Sequence, residues 1–365
     1  MTIRKISNNL TPLCFLPCGK LVCYKRGNLV LLEHDKLISS YPIFFSFKER
    51  WLGYCNVLYR LLRVGIRAAI ALDDEHIIFS IKNMLYEYSF TKRKLSKGYT
   101  LPLGIRPLIF TKVHDIRGFT DGIVFGGYLS NFDKKPVEIY RRKDIDQWEV
   151  VYSFEHGTIN HVHNIVPDSY RQCLWVLTGD FGKAAAIWKI TDDFQKVERV
   201  LYDNQMYRSC VAFPVKEGLL YATDTPFAPN NIYLLTFSSL HNFPSLVIRP
   251  LFSIDGSCIY GCQCGDKYVF ASTVEPDGRY NTRLNLLVGR KRGSGIKDMY
   301  AHMYIGNMQE GFHEIYKEKK DFWPYLFQFA TIRFPYGINK INKLYFQPIA
   351  TSKNDLRLLY FELSV

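Results

Sequence analysis

The sequence predicts an all-β fold, a β-propeller of about seven four-stranded blades, with six as the alternative count. Three observations carry this expectation. With 25 Tyr and 26 Phe the aromatic share reaches 15%, and aromatic side chains suit pleated, half-buried surfaces. Helical periodicity is scarce, while short apolar runs punctuated by Gly, Pro, Asn and Asp are everywhere. Those runs also return at a nearly constant interval.

The clearest runs are Leu21–Tyr24, Ile77–Phe79, Ile123–Phe125, Leu174–Val176, Leu219–Tyr221, Tyr268–Phe270 and Leu344–Phe346. Five of the six intervals between their first residues lie near 50, about what a four-stranded blade consumes. The last interval is longer, and an insertion over 298–323, carrying the one helix the sequence predicts, is expected to fill it. Each run serves as an anchor strand between neighbours. An inner strand precedes it. A third follows, as in Leu85–Tyr88, Val137–Tyr140, Ala186–Lys189 and Ile232–Leu235, and a fourth leads out, as in Trp148–Tyr152 and Val197–Leu201. Such meanders cannot bury both faces alone, and stacking them round an axis solves that. Residues 1–365 are therefore expected to form a single domain.

Composition bounds the function more loosely. Hydrophobic residues at 47% and charged residues at 22% are ordinary for a globular chain with a large core. The net charge of +13 predicts attraction to something anionic. The densest basic clusters, Lys92–Lys94, Arg141–Lys143, Arg290–Arg292 and Lys317–Lys320, are expected at turns. Nine scattered cysteines suit free thiols, and the closest pair, Cys262 and Cys264, is too tight for a zinc knuckle. The polar Ser7-Asn8-Asn9 stretch gives no signal-peptide core, and no apolar run is long enough to span a bilayer, so a cytoplasmic location is expected. Walker, dinucleotide, nucleophile-elbow and zinc-protease motifs are absent from the sequence. No nucleic-acid module is recognisable, and no cofactor is called for.

Two turns between third and fourth strands, Lys143-Asp144-Ile145-Asp146-Gln147-Trp148 and Thr191-Asp192-Asp193-Phe194, resemble worn versions of the Asp-box turn of sialidase-like propellers. In that turn an Asp caps the hairpin and an aromatic packs between strands. Gly is missing from both turns here, and the second lacks the terminal aromatic. The resemblance implies the propeller fold. It also implies an association with bacterial surface-polysaccharide (capsule or exopolysaccharide) biosynthesis, of the kind linked to similar propellers.

Candidate functional residues follow from the repeat. In propellers the starts of the inner strands open into the usual ligand pocket. At those starts stand Arg67, Arg106, Arg208 and the pair His161 and His163, each a comparable distance before its anchor. Arginines converging on one axis suit a carboxylate or phosphate, whose oxygens match the planar guanidinium fork; the plainer reading is that each pairs with an internal acid. His161 and His163 alternate along a strand and share a face, fit for acid–base work. No third ligand stands at a telling spacing, so no metal is expected.

At the anchor-strand ends come Thr178-Gly179-Asp180, Thr223-Asp224-Thr225 and Ser272-Thr273-Val274-Glu275, with Tyr128 at the matching place. These either cap turns or form carboxylates facing the arginines, Asp180 and Asp224 being the best candidates for the second role. The catalytic set is thus His161, His163, Tyr207, Asp180 and Asp224, and the ligand-binding set Arg67, Arg106, Arg208, Tyr128 and Glu275. A lyase would use an arginine on the uronate and a His or Tyr as base; a glycosidase would need two carboxyls roughly 5 to 10 Å apart. The expected partner is an acidic saccharide or sugar phosphate, with peripheral contact to an anionic membrane surface. The alternative is a non-catalytic scaffold for an acidic protein or such a surface. The position of Asp180 and Asp224 relative to Arg208 separates the two.

Overall fold

The computed structural model describes residues 2–43, 54–240, 243–277, 283–337, 339 and 342–363. They form seven antiparallel sheets, each built from at least four strands in meander order. The seven anchor runs are, without exception, the second strands of the seven blades: Leu21–Lys25, His76–Ile81, Gly122–Tyr128, Cys173–Gly179, Gly218–Thr223, Lys267–Thr273 and Lys343–Ile349. The reason is packing. A second strand has sheet neighbours on both edges and another blade against each face, so nearly all its side chains are apolar and buried.

The energy of the fold lies between blades. Each interface has its own apolar cluster, such as Val166, Trp175 and Leu177 of the fourth blade against Ala212, Leu219 and Tyr221 of the fifth. The same holds round the ring, from the first and second blades (Val22, Leu29, Ile77, Phe79) to the sixth and seventh (Val269, Met303, Ile332, Phe346). Closure uses the two ends of the described chain. Ile3–Asn8 pairs antiparallel with Arg357–Glu362 as the outermost strand of the seventh blade, then runs directly into the innermost strand of the first, Thr11–Phe15.

Three expectations are corrected. Residues 298–323 are not the insertion and carry no predicted helix: Tyr300–Asn307 and Gly311–Lys319 are the third and fourth strands of the sixth blade. The extra chain instead joins that blade's second and third strands, with the short helix Arg283–Val288 within it. Arg141 to Lys143 and Lys317 to Lys319 lie on strands rather than turns. Arg141 and Arg142 are drawn there by carboxylates: Arg142 meets Glu87 of the second blade, and Arg141 meets Glu149 and Asp193.

The Asp-box-like turns sit where expected, but their acids do different work. Asp144 accepts from the Ile145 amide within its own hairpin (2.7 Å), whereas Asp193 reaches across to Arg141 and Thr120 of the third blade. Asp146, Asp192 and Asp193 adopt the left-handed backbone that glycine would otherwise supply, which short acidic side chains tolerate.

Candidate functional site

Antiparallel pairing explains why two separate sequence repeats meet. The start of each inner strand lies opposite the end of its second strand: Arg106 opposite Tyr128, His161 opposite Gly179, Ser209 opposite Thr223, Ser257 opposite Thr273. Residues at inner-strand starts and second-strand ends therefore converge on one mouth. They line a central cavity of about 530 Å³. Arg67, Arg106, Tyr128, His163, Asp180, Arg208, Asp224 and Glu275 all reach it.

Two walls differ in charge. On one side, Arg67, Arg106, Arg63 and Arg333 face the cavity without an ion pair to any described carboxylate. Burial pushes Arg67 down to about 10, and the neighbouring Arg106, Arg63 and Arg333 push the same way. Burial likewise lowers Arg106, which lies over the Tyr128 ring at 5.2 Å. Arg63 and Arg333 were missed in the sequence. Arg333 could have been found, since it precedes its anchor Leu344–Phe346 at the spacing by which Arg208 precedes Leu219–Tyr221. Arg63 comes from the segment after the helix Asn56–Leu61 and had no such signal.

On the other side, Arg208 is buried and set among acids. Its Nη2 is 3.3 Å from Asp180 Oδ1, its Nε 3.5 Å from Asp224 Oδ2, and its guanidinium lies over the Phe181 ring. Burial works against its charge, but Asp224, Asp180 and Glu275 more than offset that and raise its pKa. Asp180 is the mirror case: burial would raise it, yet His161 and His163, wherever they carry a proton on Nε2, together with Arg208 hold it far below the carboxylate range. Glu275, buried beside Asp224, is pushed up to about 7 by burial and by that carboxylate, although Arg208 and the Ser257 Oγ that donates to its Oε2 at 2.6 Å work the other way.

The hydroxyls of the repeat prove structural. Thr178 Oγ1 donates to the Ala184 carbonyl (2.7 Å), and Thr273 shares a hydrogen bond with Thr331 (2.8 Å). The carboxylates, by contrast, point inward.

His161 and His163 stand together behind Asp180. Their Nε2 atoms are 3.0 Å apart and lie 3.4 and 3.5 Å from Asp180 Oδ1. His163 needs a glycine at position 179 beside it, because a Cβ there would come within 2.3 Å of the imidazole ring. Tyr207 is not part of this group. It ends the 3₁₀ turn Gln205–Tyr207 and packs into the apolar seam between the fourth and fifth blades; only its neighbour Arg208 turns inward.

No protein-family model and no curated protein matches the chain. Among solved structures it is similar to the β-propeller domain of Cps50 (Swd1) from Myceliophteria thermophila and to the AfRom2 CNH domain. Each is 8% identical with a TM-score of 0.56, all of both chains being covered. It is also similar to a chain of a mitotic checkpoint complex, at 7% identity and a TM-score of 0.54, covering 100% of this chain and 95% of that one. At such identities the likeness speaks for the fold alone, a seven-bladed all-β propeller.

Proposed function

We propose that the propeller binds a small acidic ligand, a uronate- or phosphate-bearing saccharide, in its central cavity. One observation carries the reading: Arg63, Arg67, Arg106 and Arg333 share a wall with no described carboxylate paired to any of them. Gathering four like charges in a partly desolvated site is unfavourable unless an anion joins them, and guanidinium forks suit carboxylate and phosphate oxygens. The opposite wall adds a means of chemistry. Glu275 near 7 can hold a proton at neutral pH while Asp180 stays ionised, a separation typical of acid and base partners. Hydrolysis or elimination on an acidic glycan fits this wall. A role in bacterial surface-polysaccharide biosynthesis would supply such a glycan; the worn Asp-box turns speak for the fold and not for that role.

The test is a binding and mass-spectrometric screen against uronic, sialic and phosphorylated oligosaccharides with neutral controls. Wild type should prefer the acidic members. Arg67→Ala and Arg106→Ala should each weaken that binding about 10-fold or more, the scale of a lost charged contact of roughly 1.5–3 kcal/mol. Glu275→Gln should retain binding and lose any product, whose mass separates hydrolysis from elimination. Equal binding of acidic and neutral sugars, unchanged by both arginine variants, sinks the reading.

A second reading is a scaffold holding an acidic protein or an anionic membrane surface; only the protein partner has a parallel, in the similar chain that comes from a mitotic checkpoint complex. Among the described residues no helix is long and apolar enough to cross a membrane.

A further inference from the structure

We propose that His161, His163 and Asp180 form a binding site for one divalent first-row transition-metal ion, zinc being the best fit, with its open coordination position facing the central cavity. The argument starts from tautomers. His161 Nδ1 is 2.9 Å from the Leu129 carbonyl oxygen, and His163 Nδ1 is 2.9 Å from that of Ser209. A carbonyl can only accept, so both Nδ1 atoms carry hydrogens. In the neutral rings both Nε2 atoms are then bare lone pairs, and they face each other at 3.0 Å.

Asp180 Oδ1 completes a triangle of acceptors at 3.4 and 3.5 Å. The nearby donor Arg208 reaches only the carboxylate corner, at 3.3 Å. Three acceptors this close need a cation among them. A proton on one imidazole bridges a single edge and leaves the other two strained.

A metal ion satisfies all three at once. Tetrahedral bonds of about 2.0–2.1 Å set ligand atoms roughly 3.3–3.4 Å apart, and the three observed edges bracket that value. The surroundings are those of a ligand set. Metal-bound histidines ordinarily donate their other ring N–H to a carbonyl or carboxylate, which fixes the ring. Asp180 is pinned through its own backbone: its amide donates to Asn160 Oδ1 at 3.0 Å, and its carbonyl accepts from Gln205 Nε2 at 2.9 Å. Gly179 leaves the space into which the His163 ring fits. His163 and Asp180 both line the cavity, so a fourth ligand or a substrate oxygen has access from there.

Another triplet, His163 with Cys210 and Asp224, shares one imidazole. Its thiol is committed, donating to Asp224 Oδ2 at 3.2 Å, and burial followed by Asp224 pushes it well above the usual thiol range. The imidazole–carboxylate set is the better one. Two nitrogens and one carboxylate oxygen suit zinc, cobalt, iron or manganese more than calcium or magnesium, which prefer oxygen alone. The inference is independent of anion binding, because it rests on none of the arginine-wall residues; it shares only Asp180 with the acid–base pair proposed above.

The experiment uses the full chain, stripped with a chelator and dialysed. Zinc is titrated calorimetrically, and cobalt(II) by visible absorption. The expected result is one ion per chain, with intense cobalt bands of four-coordinate geometry and zinc affinity at least 100-fold weaker in His163→Gln and Asp180→Asn. His302→Gln, on another blade, should bind as wild type. Should a ligand variant fail to fold, ¹⁵N imidazole spectra of wild type still decide. Zinc should shift the Nε2 resonances of both His161 and His163 and leave their Nδ1 protons in place. Cobalt without such bands, zinc affinity equal in wild type and Asp180→Asn, or an Nε2 proton that survives excess zinc overturns the site. Retained sugar binding by the stripped protein leaves the anion reading standing whichever way the metal experiment falls.

Discussion

Arg208 is 7% exposed, yet its Nε and Nη1 make no hydrogen bond and its charge rests on ion pairs with Asp180 and Asp224. Truncating one member of a buried charged group strands the others. Arg208→Met is therefore expected to destabilise the protein by about 3–5 kcal/mol, measured by urea unfolding, whereas a peripheral substitution such as Arg4→Met should cost almost nothing. Glu275 predicts the opposite direction. Its folded pKa, about 7, lies above the ordinary value of 4.5, so the native state binds more protons than the unfolded chain between those limits. Stability falls as pH rises through that window, and the full penalty, about 3 kcal/mol, is reached only above pH 7. Glu275→Gln should accordingly raise the melting temperature at pH 8 and leave it nearly unchanged at pH 5. A gain of equal size at both pH values removes the ionisation argument. At this scale the sequence pointed to the cavity through residues of the strand repeat, such as Arg67, Arg106, Arg208, Asp180 and Asp224, although Arg333 at the same spacing was passed over. It was silent on whether Asp180 lies beside His161 and His163, because their meeting depends on a strand register and on the missing Cβ of Gly179.

Adjacent turn residues Asp192 and Asp193 test how elements are tied together. Among the described residues the Asp192 carboxylate ion-pairs only with Lys196, four residues on, and both are well exposed. Asp193 spans two blades, accepting from Thr120 Oγ1 at 2.9 Å and from Arg141 Nη1 at 2.8 Å. Burial alone would raise its pKa, but those donors outweigh it and lower the value. Asn suits both positions, since each has positive φ and Asn tolerates that backbone. Asp192→Asn should shift stability by less than about 0.5 kcal/mol, and Asp193→Asn should cost about 1–2 kcal/mol. Thermal unfolding of the two variants side by side checks the contrast. Equal effects would mean that the inter-blade tie contributes nothing. Elements themselves were legible in proportion to their burial. Second strands, apolar on both faces, stood out as unbroken runs. In the outer strand Gly311–Lys319 five of nine residues are exposed and no unbroken apolar run marks it, so it was read as part of the insertion.

Ring closure is a property of the whole molecule. The strand Ile3–Asn8 pairs with Arg357–Glu362 and then continues into the first blade, so one segment is both a sheet edge and the tie between the ends of the ring. Beneath it lies the interface of the seventh and first blades, where Tyr345, Leu358 and Tyr360 pack on Leu10, Phe15, Leu21 and Cys23. Removing residues 2–9 deletes one strand's pairing, and it leaves that interface held by packing, by the contacts of Lys343 and Tyr345 to Asp35, and by the backbone hydrogen bonds of Tyr336 with Leu13 and Phe15. Separation there then no longer requires a strand to be pulled from a sheet. Because blades are stacked on their neighbours, loosening one interface frees the two that flank it. The shortened chain should therefore melt about 5 °C or more below the full chain. Local opening should show first at the closure itself. Cys14 and Cys23, both fully buried in the first blade, should become reactive to a thiol reagent under native conditions, while Cys173 in the fourth blade stays protected. Uniform exposure of all three thiols would mean that the propeller unfolds as one cooperative unit. Unchanged protection of all three would mean that packing, rather than the closing strand, holds the ring shut.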